Sequence, residues 1–191
     1  MSRVKTKKSL FLPLIIAMMF CTLVFSSAAQ SSESAPILSL FQAIDERLGY
    51  MEDVALFKAQ NQIPVEDIER EKTVLSDAKK LAVSHGLDPN SMERFFIAQI
   101  DAAKAIQYRY KAEALTRAIP TRSINLQSEL RPALDRLGSD IVTLFAAHLQ
   151  SRYPIEEENR TLFTRTLQSR LLADSEKNTL FDAMLEVRIQ Q

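Results

Sequence analysis

The chain of 191 residues has no tryptophan, one cysteine, two histidines and three glycines. Each shortage removes a class of chemistry. Hairpin turns and phosphate-cradling loops both need residues that accept positive φ, which glycine supplies most readily. Gly49, Gly86 and Gly138 stand far apart, so they cannot assemble a glycine-rich phosphate loop. Cys21 lies among the first thirty residues, which leaves the rest of the chain without a thiol for a disulfide or a nucleophile. His85 and His148 form no His-x-x-x-His pair, so no metal site is expected. His148 reads as an interior or boundary histidine. No Gly-x-Ser-x-Gly elbow is present for a serine hydrolase. The run Glu156-Glu157-Glu158 suits the positive end of a helix better than a carboxylate pair for glycoside cleavage.

The first thirty residues differ from the remainder. Arg3, Lys5, Lys7 and Lys8 make a cationic start, an apolar stretch runs from Leu10 to Phe25, and Ser26 to Gln30 supply small residues suited to cleavage. That layout is expected of a secretory signal peptide over residues 1–29, with cleavage after Ala28 or Ala29 fitting equally well. The alternative is an uncleaved anchor, but the apolar stretch is about 16 residues, short of the ~20 that span a bilayer as a helix. The processed protein is therefore expected to be exported, periplasmic or secreted, with no membrane attachment. The leader holds four of the 24 basic residues and none of the 24 acidic ones, leaving 20 against 24, a net charge of −4. That balance argues against a nucleic-acid partner.

The mature chain has helical periodicity nearly throughout. After a serine-rich linker at 30–35, Ile37, Leu40, Phe41, Ile44, Leu48, Met51 and Ala55 recur at three- and four-residue steps, predicting a helix to about Gln60. Asn61 to Pro64 break it. A second helix is expected from about Val65 to His85, with Ile68, Val74, Leu75, Ala78, Leu81 and Ala82 on its apolar side and Gly86 as its C-terminal cap. Asp88-Pro89 reads as an N-cap and first turn of a third helix running to about Arg117, before a connection around Pro120. Further helices are expected over 126–150, after Pro154, and from a Ser175 cap to about Ile189. No strand alternation or internal repeat is visible. The expected fold is an all-α, single-domain bundle of about six helices, with a core over 36–120 and an extension of the same domain over 121–191.

Several charged residues fall into stripes. Arg47 and Lys58, eleven residues apart on one continuous helix, would lie within roughly 20° of the same face and about 16 Å apart, near enough for both to bend toward one ligand. Asp67, Arg70, Glu71 and Val74 share a face of the second helix, and Ala103 and Gln107 are one turn apart on the third. Taken singly, Arg47 beside Asp45 and Glu46, and Arg70 beside Glu69 and Glu71, read as solvated faces carrying surface ion pairs, and Gln107 alone carries no signal.

The string from Ile44 to Leu75, IDERLGYMEDVALFKAQNQIPVEDIEREKTVL, resembles the helical chorismate mutases of the AroQ class. It pairs an arginine with a lysine eleven residues on, followed by Pro-Val-x-Asp-x-x-Arg-Glu. The likeness continues through His-Gly-Leu-Asp at 85–88 and Phe-Phe-x-x-Gln-Ile at 95–100 to Gln107, covering about Leu38 to Tyr110. A leader and a helical extension of about 70 residues are similar to the secreted, gamma subclass, in which each chain completes its own site. The resemblance implies a homodimer and conversion of chorismate to prephenate, a step of phenylalanine and tyrosine biosynthesis, without a cofactor.

It also implies roles. Arg47 and Arg131 would clamp the substrate carboxylates, with Arg136 the alternative to Arg131. Lys58 would reach a carboxylate and the ether oxygen of the breaking bond, and Gln107 would donate to that oxygen from the other side. Arg70 would add positive potential, and Asp67 and Glu71 would hold the ring hydroxyl. Two positions depart from the pattern. Ala103 stands where relatives often carry Ser or Thr, and Val74 where some secreted relatives have Gln. Two rival readings are an exported, non-catalytic binding or chaperone-like module, and a different enzyme acting on a related chorismate-derived acid.

Overall fold

The computed structural model describes residues 35–116, 125–151 and 154–191. The expected leader and its cleavage point lie outside these residues, as do Arg117 and the Pro120 connection. Pro36–Gln191 form one compact unit. Among the described residues there is no strand beyond a single antiparallel bridge between Leu87 and Ile189, and no helix is long and apolar enough to cross a membrane.

Helix α1 (Ala35–Gly49) and helix α2 (Met51–Gln60) follow one another with a break at Tyr50. The chain then turns through Gln62, a non-glycine residue at φ 56°, into α3 (Ile68–Ser84). The second helix thus starts three residues later than the periodicity suggested. Asp67 caps it, accepting from the Arg70 amide, and Val65 stays in the turn with its side chain buried. Ile68, assigned to the apolar side from its spacing, is 56% exposed because it sits in the first turn, before the helix reaches its neighbours.

At the far end of α3 the Leu87 amide donates to the Ala82 carbonyl and the Gly86 amide to that of Val83. This paired closure requires a left-handed residue, and Gly86 at φ 72° provides it. Asp88 then caps α4 (Pro89–Ala114) by accepting from the Ser91 amide at 2.7 Å, with Pro89 in the first turn. At 26 residues α4 is the longest helix among the described residues, and it packs against α2, α3 and α7.

The stretch expected as one helix over 126–150 is divided. Leu126–Leu130 form a π-helical turn, capped by Asn125, whose Oδ1 accepts from the Gln127 and Ser128 amides. Helix α5 follows over Arg131–Gln150 and packs on α3. Pro132 offers no amide to the carbonyl four residues back, and the wider turn closes instead through Leu130 to Asn125. Beyond Pro154 a 3-10 turn at Glu157–Asn159 leads into α6 (Arg160–Thr166), and α7 spans Asp174–Leu185.

Ser175 is not the cap of α7. Ala173 holds that position, and the Glu176 carboxylate reaches back to accept from its amide at 2.7 Å. The helix stops at Leu185, short of Ile189, because the tail joins the α3–α4 turn. There the Asp88 amide donates to the Arg188 carbonyl and the Gln190 amide to that of Gly86.

One hydrophobic core runs through both halves of the described chain. Phe41 of α1 meets Phe163 of α6 edge-on at 5.1 Å, Phe163 meets Phe181 of α7 at 5.4 Å, and Phe95 of α4 meets Phe145 of α5 at 4.8 Å. Burying an aromatic ring contributes roughly 1.5–3 kcal/mol, so the C-terminal helices are integral to this core. His148 is buried, which holds its pKa below the usual imidazole value.

Candidate active site

Arg47, Lys58, Asp67, Arg70, Glu71, Val74, Ala103, Gln107 and Arg131 all line one cleft. It lies between α1 and α2, α3, α4 and the start of α5, and its empty space is about 640 Å³ counting the solvent-filled mouth. Arg131 is at the cleft; Arg136 is exposed and not part of its wall.

The packing explains the convergence. Helices α1 and α2 bury Arg47 and Lys58 to 6% exposure each, an unusual fate for such residues. Among the described residues no carboxylate lies within ion-pair distance of either. Arg47 Nη1 donates to Gln99 Oε1 at 2.7 Å, and its guanidinium carbon lies 5.9 Å from the centre of the Phe96 ring. Burial lowers its pKa to about 10, helped by the charge of Arg70 and opposed by Asp135, so it remains a cation at neutral pH. Lys58 Nζ donates to the Val65 carbonyl. Burial also lowers the Lys58 pKa, with Asp67 opposing and Arg131 adding to the shift.

Arg70 and Arg131 have partners at the mouth. Arg70 pairs with Asp135 of α5. Arg131 donates from Nη2 to Asp67 Oδ2 at 2.9 Å and from Nη1 to Gln127 at 3.1 Å. Asp67 therefore caps α3 with one carboxylate oxygen and holds Arg131 with the other.

Helix α4 supplies the opposite wall. Gln107 is 5% exposed; its Nε2 donates to the Ala103 carbonyl at 3.2 Å and lies 3.6 Å from the Met51 sulfur, while its Oε1 has no partner. Sulfur is a weak acceptor, so the second N–H is readily given to a better one.

Sequence reasoning missed part of the wall. Lys104 joins it, 3.4 Å from Glu71 and 3.2 Å from Asp101, and Met51, Val54, Val65, Ile100, Leu126 and Leu134 make its apolar lining. Lys104, beside Ala103 and one turn before Tyr108, carried only the signal of an exposed helix face. The apolar residues followed core periodicity and gave no sign of bordering a cavity.

Five cations and two acids around a small, largely apolar cleft define a helical protein equipped to take up a compact polyanion. Residues 38–108 match the family model described as chorismate mutase type II. The secreted chorismate mutase of Yersinia pestis is 38% identical over 143 residues, covering 75% of this chain and 74% of that one. Its crystal structure superimposes with a TM-score of 0.75 at 33% identity, covering 79% of this chain and 97% of that one. The chorismate mutase of Burkholderia thailandensis gives a TM-score of 0.64 at 27% identity, covering 78% and 96%. The chain belongs to the chorismate mutase type II family, the helical class its motifs resemble.

Proposed function

We propose that this protein is an isomerase that converts chorismate to prephenate in the cleft between α1–α2, α3, α4 and α5. The observation that carries the reading is the pair of buried cations, Arg47 and Lys58, facing a cleft with no carboxylate partner of their own among the described residues. A dianion supplies what they lack. A non-catalytic role has no support, since the named relatives are chorismate mutases.

The reaction is an intramolecular rearrangement: a C–C bond forms as the ether C–O bond breaks, with no proton transfer. The protein's contribution is therefore conformational restriction and charge complementarity. Arg47 and Arg131 hold the two carboxylates, where the guanidinium fork matches carboxylate geometry. Lys58 and the Gln107 N–H that faces the Met51 sulfur flank the ether oxygen as negative charge grows on it. Asp67 already accepts from the Arg70 amide and from Arg131, so the ring hydroxyl falls mainly to Glu71. Arg70 and Lys104 raise the potential at the mouth, and Val74 and Ala103 complete the wall. A 10⁶-fold acceleration corresponds to about 8 kcal/mol of preferential transition-state binding.

The same proposal includes export after removal of residues 1–29, in keeping with relatives named as secreted, and a homodimer with a whole cleft in each subunit. All nine residues that the resemblance assigns to the site, Arg131 included, come together within one chain, which supports independent sites. The test is to incubate the chain from Gln30 onward with chorismate, follow the loss of its absorbance and identify the product. Prephenate is expected; another acid would favour a lyase, and no turnover would overturn the reading. Light scattering tests the dimer, and mass spectrometry of the exported protein gives its first residue.

A further inference from the structure

Helix α4 places Phe96, Gln99, Ala103 and Gln107 at i, i+3, i+7 and i+11, along one face. Ala103 and Gln107 border the cleft, whereas Gln99 does not; it touches the site only from behind, through Arg47. Gln99 is completely buried. A guanidinium can only donate, so Gln99 must turn its carbonyl oxygen to Arg47, and that orientation leaves its Nε2 inside the core without a partner. An apolar side chain there would avoid this cost.

The Arg47 guanidinium is thus held between a neutral amide at 2.7 Å and the Phe96 ring. Its Nε has no partner. Asp135, engaged with Arg70, acts on it only through its field. A glutamate at 99 would have the same shape and would satisfy Arg47 in advance as a buried ion pair, weakening its hold on an incoming carboxylate.

We propose that Gln99 is a positioning residue: its neutral amide orients Arg47 from behind the cleft while leaving the guanidinium charge available to a substrate carboxylate. This rests on the cleft being the chorismate site, and it identifies neutrality at position 99 as a requirement for dianion binding.

The experiment compares wild type, Gln99→Glu and Gln99→Met. The readouts are kcat and KM for chorismate, calorimetric affinity for the dicarboxylate prephenate, and thermal midpoint. For Gln99→Glu the expected result is a rise of about tenfold or more in KM and in the prephenate dissociation constant, with kcat within about threefold and a midpoint no lower than wild type. Gln99→Met, which removes the acceptor at similar volume, should also raise KM. A purely structural role for Gln99 would instead make binding follow thermal stability. Unchanged prephenate affinity in a folded Gln99→Glu protein overturns the proposal, as does a wild type that does not bind prephenate. If wild type binds prephenate more tightly than Gln99→Glu yet leaves chorismate untouched, the mutase reading fails and the role of Gln99 stands.

Discussion

Arg131 Nη2 lies 2.9 Å from Asp67 Oδ2, joining the start of α5 to the cap of α3 across 64 positions of sequence. The pair sits at the mouth of the cleft, where a dianion can draw the guanidinium from one carboxylate to another. Arg131→Ala should lower kcat/KM by about 10²–10³, mostly through KM, as expected when one partner of a charged contact is removed. Arg136→Ala, altering an exposed residue outside the cleft, should stay within about twofold of wild type. Steady-state kinetics on both variants decides between them, and the reverse order would move the carboxylate clamp to Arg136.

Lys58→Ala should lose about 3–4 kcal/mol of transition-state stabilisation while keeping its helical circular dichroism, because one electrostatic donor to the ether oxygen is gone. Chorismate turnover near the wild-type rate in the folded variant would remove Lys58 from the mechanism.

The pH profile follows from the same lysine and from the neutral Gln107. Gln107 does not titrate, so kcat/KM should be flat from pH 5 to 8. Burial lowers the Lys58 pKa, so on the alkaline side the ammonium is lost, and activity with it, before the ordinary lysine range is reached. A steep fall between pH 5 and 8 would contradict this assignment.

Ala103 leaves a methyl group on the cleft wall. Ala103→Ser adds a donor without crowding, and a new hydrogen bond of roughly 1 kcal/mol corresponds to a KM about fivefold lower. An unchanged KM would mean that no substrate carboxylate approaches this wall.

Glu176 joins α7 to α4 through two bonds with Arg109, at 2.6 and 2.7 Å, and also caps its own helix at Ala173. The hydrogen bonds from Arg109 hold its carboxyl below the ordinary glutamate pKa. The folded state therefore binds fewer protons here than the unfolded one, and stability is gained above the unfolded pKa and lost as pH falls through the folded one. Thermal melts should show wild type above Glu176→Gln at pH 7, with the gap closing below about pH 4. A gap unchanged at low pH would exclude the ion pair as its source.

The helical class was legible because helix formation leaves its mark at three- and four-residue spacing. Asp88-Pro89 and Gly86 announced their caps because those roles depend on local backbone chemistry. Ser175 and the helix across 126–150 misled for the complementary reason. A serine can cap only where the chain bends in front of it, and Glu176 made that bend at Ala173. The π-turn before Arg131 depends on hydrogen bonds that no spacing rule encodes.

The amino-acid sequence by itself determined the helices, their apolar faces and the family motif, since propensity, periodicity and capping act within a turn or two. It could name Arg47, Lys58, Gln107 and Arg131 by resemblance, but Arg47 taken alone read as part of a solvated surface and Gln107 alone carried no signal. Tertiary structure alone decided that Arg47 and Lys58 lose water while Arg136 keeps it, and that Gln99 stands behind Arg47. Desolvation depends on which helices meet, and that contact joins residues tens of positions apart.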